Sequence, residues 1–358
     1  QEVAYSSLPF ETRENLHDTI GLYLEQAYYQ ELDQHLDTLA FHFDRSRNQP
    51  KKREYLLKAG ESAQAKYANL AAIGYFHQLL PLLTGEQEIE TLLKLGQVLE
   101  MVGEWTEVEQ LYRRALERSQ SVGDRGLLAR VHTALGELFR KQGKYGEASE
   151  WLERAKTGFV QLEDEAAVGQ VLHYAGTLAA QQGEYQQAGR LYEDSLEIRR
   201  RLDDQKAVAS LLSNLGILAS FRGEFDRAQE LNDESLAIRR ALDDRWSIAN
   251  SLNNQGTVYL DQGNSAAARS KLEEAVVLLK EIGDRWHYAN AVNNLGNAAR
   301  AQADYETARS LYSESLEINH DLGDGQALAY LLEDIGGLDA AQGQAEEAVT
   351  LVGAAESL

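Results

Sequence analysis

The sequence predicts an all-α protein, an α-solenoid of antiparallel helical hairpins, and three observations carry that prediction. Of 358 residues only 3 are Pro, at Pro9, Pro50 and Pro81, so beyond Pro81 nothing forces a break in helical structure. Ala, Leu, Glu, Gln and Arg, all good helix formers, dominate the chain. Above all, Gly recurs every 40 residues without insertion, at Gly96, Gly136, Gly176, Gly216, Gly256, Gly296 and Gly336.

The elements follow in order. In residues 1–48, an N-terminal helical segment, "ETRENLHDTIGLYLEQAY" (11–28) and "LDQHLDTLAFHFDRS" (32–46) read as amphipathic helices. Residues 49–88 read as one degenerate repeat. Pro50 suits the first turn of a helix over 51–68, and "NLAAIGYFHQLLPLL" (69–83) reads as a second helix ending near Gly85. Gly60, Ala72 and Phe76 keep the repeat spacing there.

Residues 89–358 divide into seven 40-residue units, the last truncated. An Asp column, Asp124, Asp164, Asp204, Asp244, Asp284 and Asp324, predicts an N-cap for the first helix of each unit, because Asp accepts from free N–H groups and suits the positive helix end. A second Gly column, Gly103, Gly143, Gly183, Gly223, Gly263 and Gly343, ends that helix, with Ala303 as the exception. A second helix follows, as in "EYQQAGRLYEDSLEIRRRL" after Gly183. The first Gly column and the Ala column (Ala148, Ala188, Ala228, Ala268, Ala308 and Ala348, headed by Val108) predict close helix approach, where a larger side chain would overpack. One hairpin cannot bury its apolar face alone, whereas stacked hairpins bury a continuous core.

Composition narrows the function. With 43% hydrophobic residues the chain is not disordered. No Cys is present, which removes disulfides, thiolate zinc sites and thiol nucleophiles and suits a reducing, cytoplasmic compartment. A formal charge of −22 repels phosphate backbones, so no nucleic-acid partner is expected; nor is a membrane, since no apolar run is long enough to span one. Gln1 in place of Met is expected of a piece of a longer chain. The 8 His show no HExxH spacing, and neither GxSxG nor the phosphate loop GxxxxGK[ST] occurs, so no catalytic residue, metal or cofactor is expected. His132 falls on an apolar stripe as a core residue.

"NNLGNAARAQADYETARSLYSESLEI" carries Leu295-Gly296, Tyr305, Ala308, Tyr312 and Ser315 in the order that resembles the tetratricopeptide repeat in its 40-residue form. The likeness covers residues 89–358; Ser265, Ala345, Asn232 and Gln255 depart from it, so repeats five and seven are expected to pack less tightly. Similar repeats occur in spindle-orientation adaptors, bacterial peptide-sensing regulators and the arms of bacterial signalling ATPases. "LAFHF" (39–43), "YLLKAGESAQAKYANLAAIGYF" (55–76) and "AVTLVGAAESL" (348–358) resemble the arm of STAND-type signalling ATPases, including those associated with nucleotide cyclases. The resemblance implies a non-enzymatic array that binds an extended peptide or protein segment in a concave groove lined by the first helices.

On a helical wheel Val292, Leu295, Gly296 and Ala299 share the core side. Asn214, Asn254 and Asn294, then Asn297, then Asn250 and Asn290 point the other way, and Asn253 and Asn293 fall on the flank. Asn is a poor helix former, by about half a kcal/mol against Ala, so six on one face need a reason. An amide carries both donor and acceptor, and a row of amides can pair with a peptide backbone without reading its side chains. The alternative is a ladder that bonds neighbouring repeats in a structural spacer or self-association scaffold. Arg300, Arg130 and Arg140 stand at the groove edge, where they would grip a carboxylate or pair with local acids such as Glu137. Trp246 and Trp286 are expected at hairpin joints, with a ligand platform as the second role, and Glu193, Asp194, Glu234, Glu273 and Glu274 on the outer face.

Overall fold

The computed structural model describes residues 5, 7–322 and 324–355, so the closing string is seen only as far as Ala355. Every element longer than one turn among them is an α-helix. The chain forms two compact units that divide after Gly183.

The first unit contains α1 (Phe10–Ala27), α2 (Leu36–Asp44), α3 (Gln49–Ala65), α4 (Asn69–Leu79), α5 (Glu86–Val102), α6 (Trp105–Val122), α7 (Arg125–Lys141), α8 (Tyr145–Gln161) and α9 (Glu165–Gln181). Two of its helices are shorter than the sequence suggests. α2 begins at Leu36, after a 3-10 turn over Leu32–Gln34, because the chain reverses between α1 and α2 and brings the Tyr28 and His35 rings to 4.1 Å, tilted at 34°. α4 stops at Leu79 and passes into a 3-10 turn over Leu80–Leu82, since Pro81 has no N–H to continue the α pattern. Leu39, Phe43, Tyr55 and Leu56 close one core, and a second runs from Phe76 through Leu92, Leu135 and Leu152 to Leu178. Gly60 keeps its repeat role: a Cβ there would lie 2.6 Å from Phe76.

The second unit contains α10 (Tyr185–Arg201), α11 (Gln205–Phe221), α12 (Phe225–Ala241), α13 (Arg245–Asp261), α14 (Ser265–Ile282), α15 (Arg285–Ala301), α16 (Tyr305–Leu322), α17 (Gly325–Ala341) and α18 (Ala345–Ala355). α11/α12, α13/α14, α15/α16 and α17/α18 are packed hairpins in succession. Its buried apolar groups include small clusters such as Leu236–Ile248–Leu252–Ala275 and Ala268–Leu272–Leu295–Ala298.

The repeat columns do the work assigned to them. All six Asp side chains cap their helices by accepting a backbone N–H three residues on, at 2.8 Å for Asp124 and 3.1 Å for Asp204. Gly143 takes φ +73° just beyond α7, the left-handed geometry that terminates a helix, and Ala303 is forced into the same region at +60°. A Cβ on Gly256 would sit 2.5 Å from Leu272, and Ala148, Ala188, Ala228, Ala268 and Ala308 are fully buried. The departures leave a mark: Gln255 is buried where the repeat has Leu, donates to Asp233 Oδ1 at 3.3 Å, and leaves its own Oε1 without a partner. Such an orphan costs about 1–3 kcal/mol.

Candidate functional site

The first helices of successive repeats touch one another: α5 meets α7, α7 meets α9, α13 meets α15 and α15 meets α17. In the second unit the contacts from repeat five to repeat six and from repeat six to repeat seven carry the Asn side chains. The amides of repeats five and six interlock. Asn253 Nδ2 donates to Asn290 Oδ1 at 3.1 Å, and Asn294 Nδ2 donates to Asn253 Oδ1 at 3.0 Å and to Asn290 Oδ1 at 3.3 Å. Asn250 turns back on its own helix, donating to the Trp246 carbonyl at 3.2 Å. Asn254 is exposed, and its side-chain amide has no partner among the described residues. Asn214 lies half-buried in the same column of α11.

A second knot joins repeats six and seven around Asp334. Asn293 Nδ2 donates to Asp334 Oδ2 at 2.9 Å and Asn297 Nδ2 to the same oxygen at 3.2 Å, while Tyr312 Oη donates to Asn297 Oδ1 at 2.6 Å. Arg300 closes the knot, 3.8 Å from Asp334 Oδ1 and bonded to the Asp334 carbonyl at 3.4 Å. Burial raises the Tyr312 phenol well above its ordinary pKa, with Arg300 opposing and Asp334 adding to the shift. The hydroxyl therefore stays protonated as a donor.

The other two Arg side chains also have acids. Arg130 Nη1 donates to Glu90 at 3.2 Å, and Arg140 Nε donates to Glu137 at 2.8 Å. Arg130 and Glu137 line a cavity of about 490 Å³ with residues of α5, α7 and α9, where Lys94 pairs with Glu61 and Lys141 with Glu100. His132 is half-buried beside Trp151, with burial first and Arg154 second holding its pKa down. Glu234 and Glu274 on the second helices pair with Arg200 and Arg240.

Trp246 and Trp286 join repeats by an edge rather than a face. Trp246 Nε1 donates to Asp284 Oδ2 at 2.9 Å and Trp286 Nε1 to Asp324 Oδ2 at 2.8 Å, each reaching the cap of the next first helix. Their rings remain 45% and 49% exposed, so both are also surfaces. His287 stands edge-on to both, at 5.0 and 4.7 Å.

Residue spacing alone missed Asp334 and placed Asn253 and Asn293 at the margin. The signal was present: Asp334 occupies the column of Asn214, Asn254 and Asn294. Among the described residues no group of three His, Cys, Asp or Glu is placed to hold a metal ion. No helix among them is long and apolar enough to cross a membrane.

Stacked two-helix repeats with a polar first-helix row define a helical-repeat scaffold. The tetratricopeptide-repeat family model matches residues 87–158, 168–241, 222–281 and 247–320, more than half of the chain. The chain belongs to the tetratricopeptide-repeat family. Among solved structures it is similar to BtubC (BKLC) from P. vanneervenii, at 24% identity over 66% of this chain and 93% of that one, TM-score 0.50. It is similar to a STAND signal-transduction ATPase with a tetratricopeptide-repeat sensor from Pyrococcus horikoshii, at 14% identity and TM-score 0.65, over 93% of this chain and 52% of that one. A Rap protein complexed with Competence and Sporulation Factor matches over 98% of both chains, at 14% identity and TM-score 0.65. Likeness at these identities speaks to the fold. No curated protein matches the chain significantly.

Proposed function

We propose that the chain is a non-enzymatic module that holds an extended peptide or partner segment along the first-helix row, as the sensor or regulatory arm of a larger cytoplasmic signalling protein. Asn254 carries this reading: an exposed amide without a partner, in a helix where Asn is costly, beside amides already fixed by one another. The packing supports it too. α5 meets α7, α7 meets α9, α13 meets α15 and α15 meets α17, which brings first-helix side chains of neighbouring repeats onto one surface. The Rap protein's complex and the sensor of the STAND ATPase point to the same use of this fold.

A second reading, a spacer or self-association scaffold, has its own support in the Asn253–Asn290–Asn294 ladder. The two separate residue by residue. Asn254→Asp removes a donor that nothing in the chain uses; Asn294→Asp sets a carboxylate against two amide oxygens. Partner capture by the purified chain from a lysate, paired with melting curves, tells them apart. Capture lost in Asn254→Asp with unchanged melting is the expected outcome. Capture unaffected by Asn254→Asp, with instability confined to Asn294→Asp, favours the scaffold.

A further inference from the structure

Between repeats six and seven lies a cavity of about 250 Å³, walled by Trp286 and Tyr330 and floored by Asn293, Ser315 and Asn319, with Asp324 at its side. Its donors point back into the chain. Asn319 Nδ2 donates to the Ser315 carbonyl at 3.0 Å and to Ser315 Oγ at 3.2 Å. Ser315 Oγ donates to the Ala289 carbonyl at 2.8 Å, and Trp286 Nε1 donates to Asp324. Asn293 is oriented by Asp334: its Nδ2 must face that carboxylate, so Oδ1 faces away, and this oxygen is buried with no partner. An amide whose N–H leans on a carboxylate has a more strongly accepting oxygen. The interior thus offers acceptors, and Asn290, whose Oδ1 accepts from Asn253 and Asn294, completes the lining.

Asp324 lines the cavity, and Asp334 holds Asn293 from behind with Arg300 beside it. Arg285, next to Trp286, is paired with Asp321 at 2.9 Å. Trp286 and Tyr330, 49% and 59% exposed, present ring faces that attract cations.

We propose that this pocket receives the cationic head of a basic side chain, arginine or lysine, from the partner segment. Its N–H groups meet Asn293 Oδ1, its charge meets Asp324, and its face or stem lies on the two rings. The volume accommodates either side chain, and a formal charge of −22 favours the approach of a basic partner. The inference rests on the peptide-binding reading and deepens it.

The test uses the full chain labelled with 15N at its 4 Trp indoles, the Trp286 signal being assigned by Trp286→Phe. The probes are N-acetyl-arginine-methylamide, its lysine counterpart and its neutral citrulline counterpart. A saturable shift of the Trp286 signal with the arginine or lysine probe, about tenfold weaker with citrulline, is expected. Asp324→Asn, which keeps a capping oxygen, and Tyr330→Ala, at an exposed ring, each weaken cation binding at least about fivefold. Equal binding of citrulline and arginine overturns the proposal, as does a Trp286 signal that no cation moves, the Asn293 oxygen then being met by water alone. Partner capture that survives Asp324→Asn unchanged would sink the cation pocket and leave the peptide-binding reading standing. A chain that captures nothing yet binds the arginine probe does the opposite: the pocket stands and the peptide-binding reading falls.

Discussion

Gly296→Ala puts the repeat's close approach to a quantitative test. Gly296 lies inside α15, where Ala would ordinarily stabilise the helix by about 1 kcal/mol. Here the added Cβ would lie 2.6 Å from Tyr312 Cε1 and 2.7 Å from Cδ1. Ordinary contact begins near 3.4 Å, so the ring must move by most of an ångström. It has little freedom: Tyr312 is fully buried among Ala299, Ala308, Leu331 and Leu338, and its hydroxyl is tied to Asn297. Overpacking costs about 1–3 kcal/mol, and loss of the Tyr312–Asn297 hydrogen bond about 1 more, leaving a net destabilisation of about 1–3 kcal/mol. Gly74→Ala in α4 is the control, because a Cβ there meets nothing within 4 Å and only the helix gain remains. Repeat arrays do not unfold in one step, so the assay is native-state hydrogen exchange of α15 and α16 for one variant and α4 for the other. Protection in α15 that rises with Gly296→Ala, as it should in α4 with Gly74→Ala, would refute the account of the Gly column.

Two further outcomes follow from local geometry. Ala303→Gly relieves a left-handed φ of +60° and is expected to stabilise the α15–α16 hairpin by about 0.5–1 kcal/mol, read as slower amide exchange there; no change would mean the strain is absorbed elsewhere. In the first unit His17 Nδ1 meets His42 Nδ1 at 2.9 Å, which needs at least one neutral ring, and burial first, then Arg45 for His17 and His17 with Arg45 for His42, lowers both pKa values below 6.5. Protons then bind the unfolded chain more readily, so the contribution to α1–α2 stability is whole above pH 6.5 and declines as the pH falls below it toward the lowered values; exchange of α1 amides that is equally protected at pH 7.5 and at about pH 5, after correction for intrinsic rates, would contradict this.

The fold was legible because the repeat's rules are local. An Asp cap, a left-handed Gly and a close-packed Gly each act within a few residues or one hairpin, so a 40-residue period displays them in columns. Legibility failed where the local cue was diluted. A third left-handed position, just before each cap, holds Gly123 and Gly283 but also Glu163, Asp203 and Asp243 at φ +52 to +56°, and the mixed residues hid the column. The N-terminal boundaries failed because a chain reversal and Pro81 override amphipathic pattern. At the site a wheel separates core from surface within one helix, but it does not show how the first helix of one repeat meets the next. Asn253 and Asn293, marginal on the wheel, are central for that reason: the flank of one helix is what its neighbour touches.

The same neighbour contacts explain how a polar row coexists with stability. In repeats five to seven polar groups enter the interior: Ser251, Gln255, Ser315 and Asn319 are buried, and the apolar groups there form small clusters. Hydrophobic burial is correspondingly divided, and the repeats are joined instead by directional links, Trp246 to Asp284, Asn253 to Asn290, Trp286 to Asp324 and Asn293 to Asp334. A stack held in that way opens locally at lower free energy than one with an unbroken core. On the proposed peptide-binding reading, a segment bound across several of these links would stabilise them by mass action and stiffen the hairpins it spans. Occupancy would then change how readily those hairpins open, without requiring a second conformation of the fold.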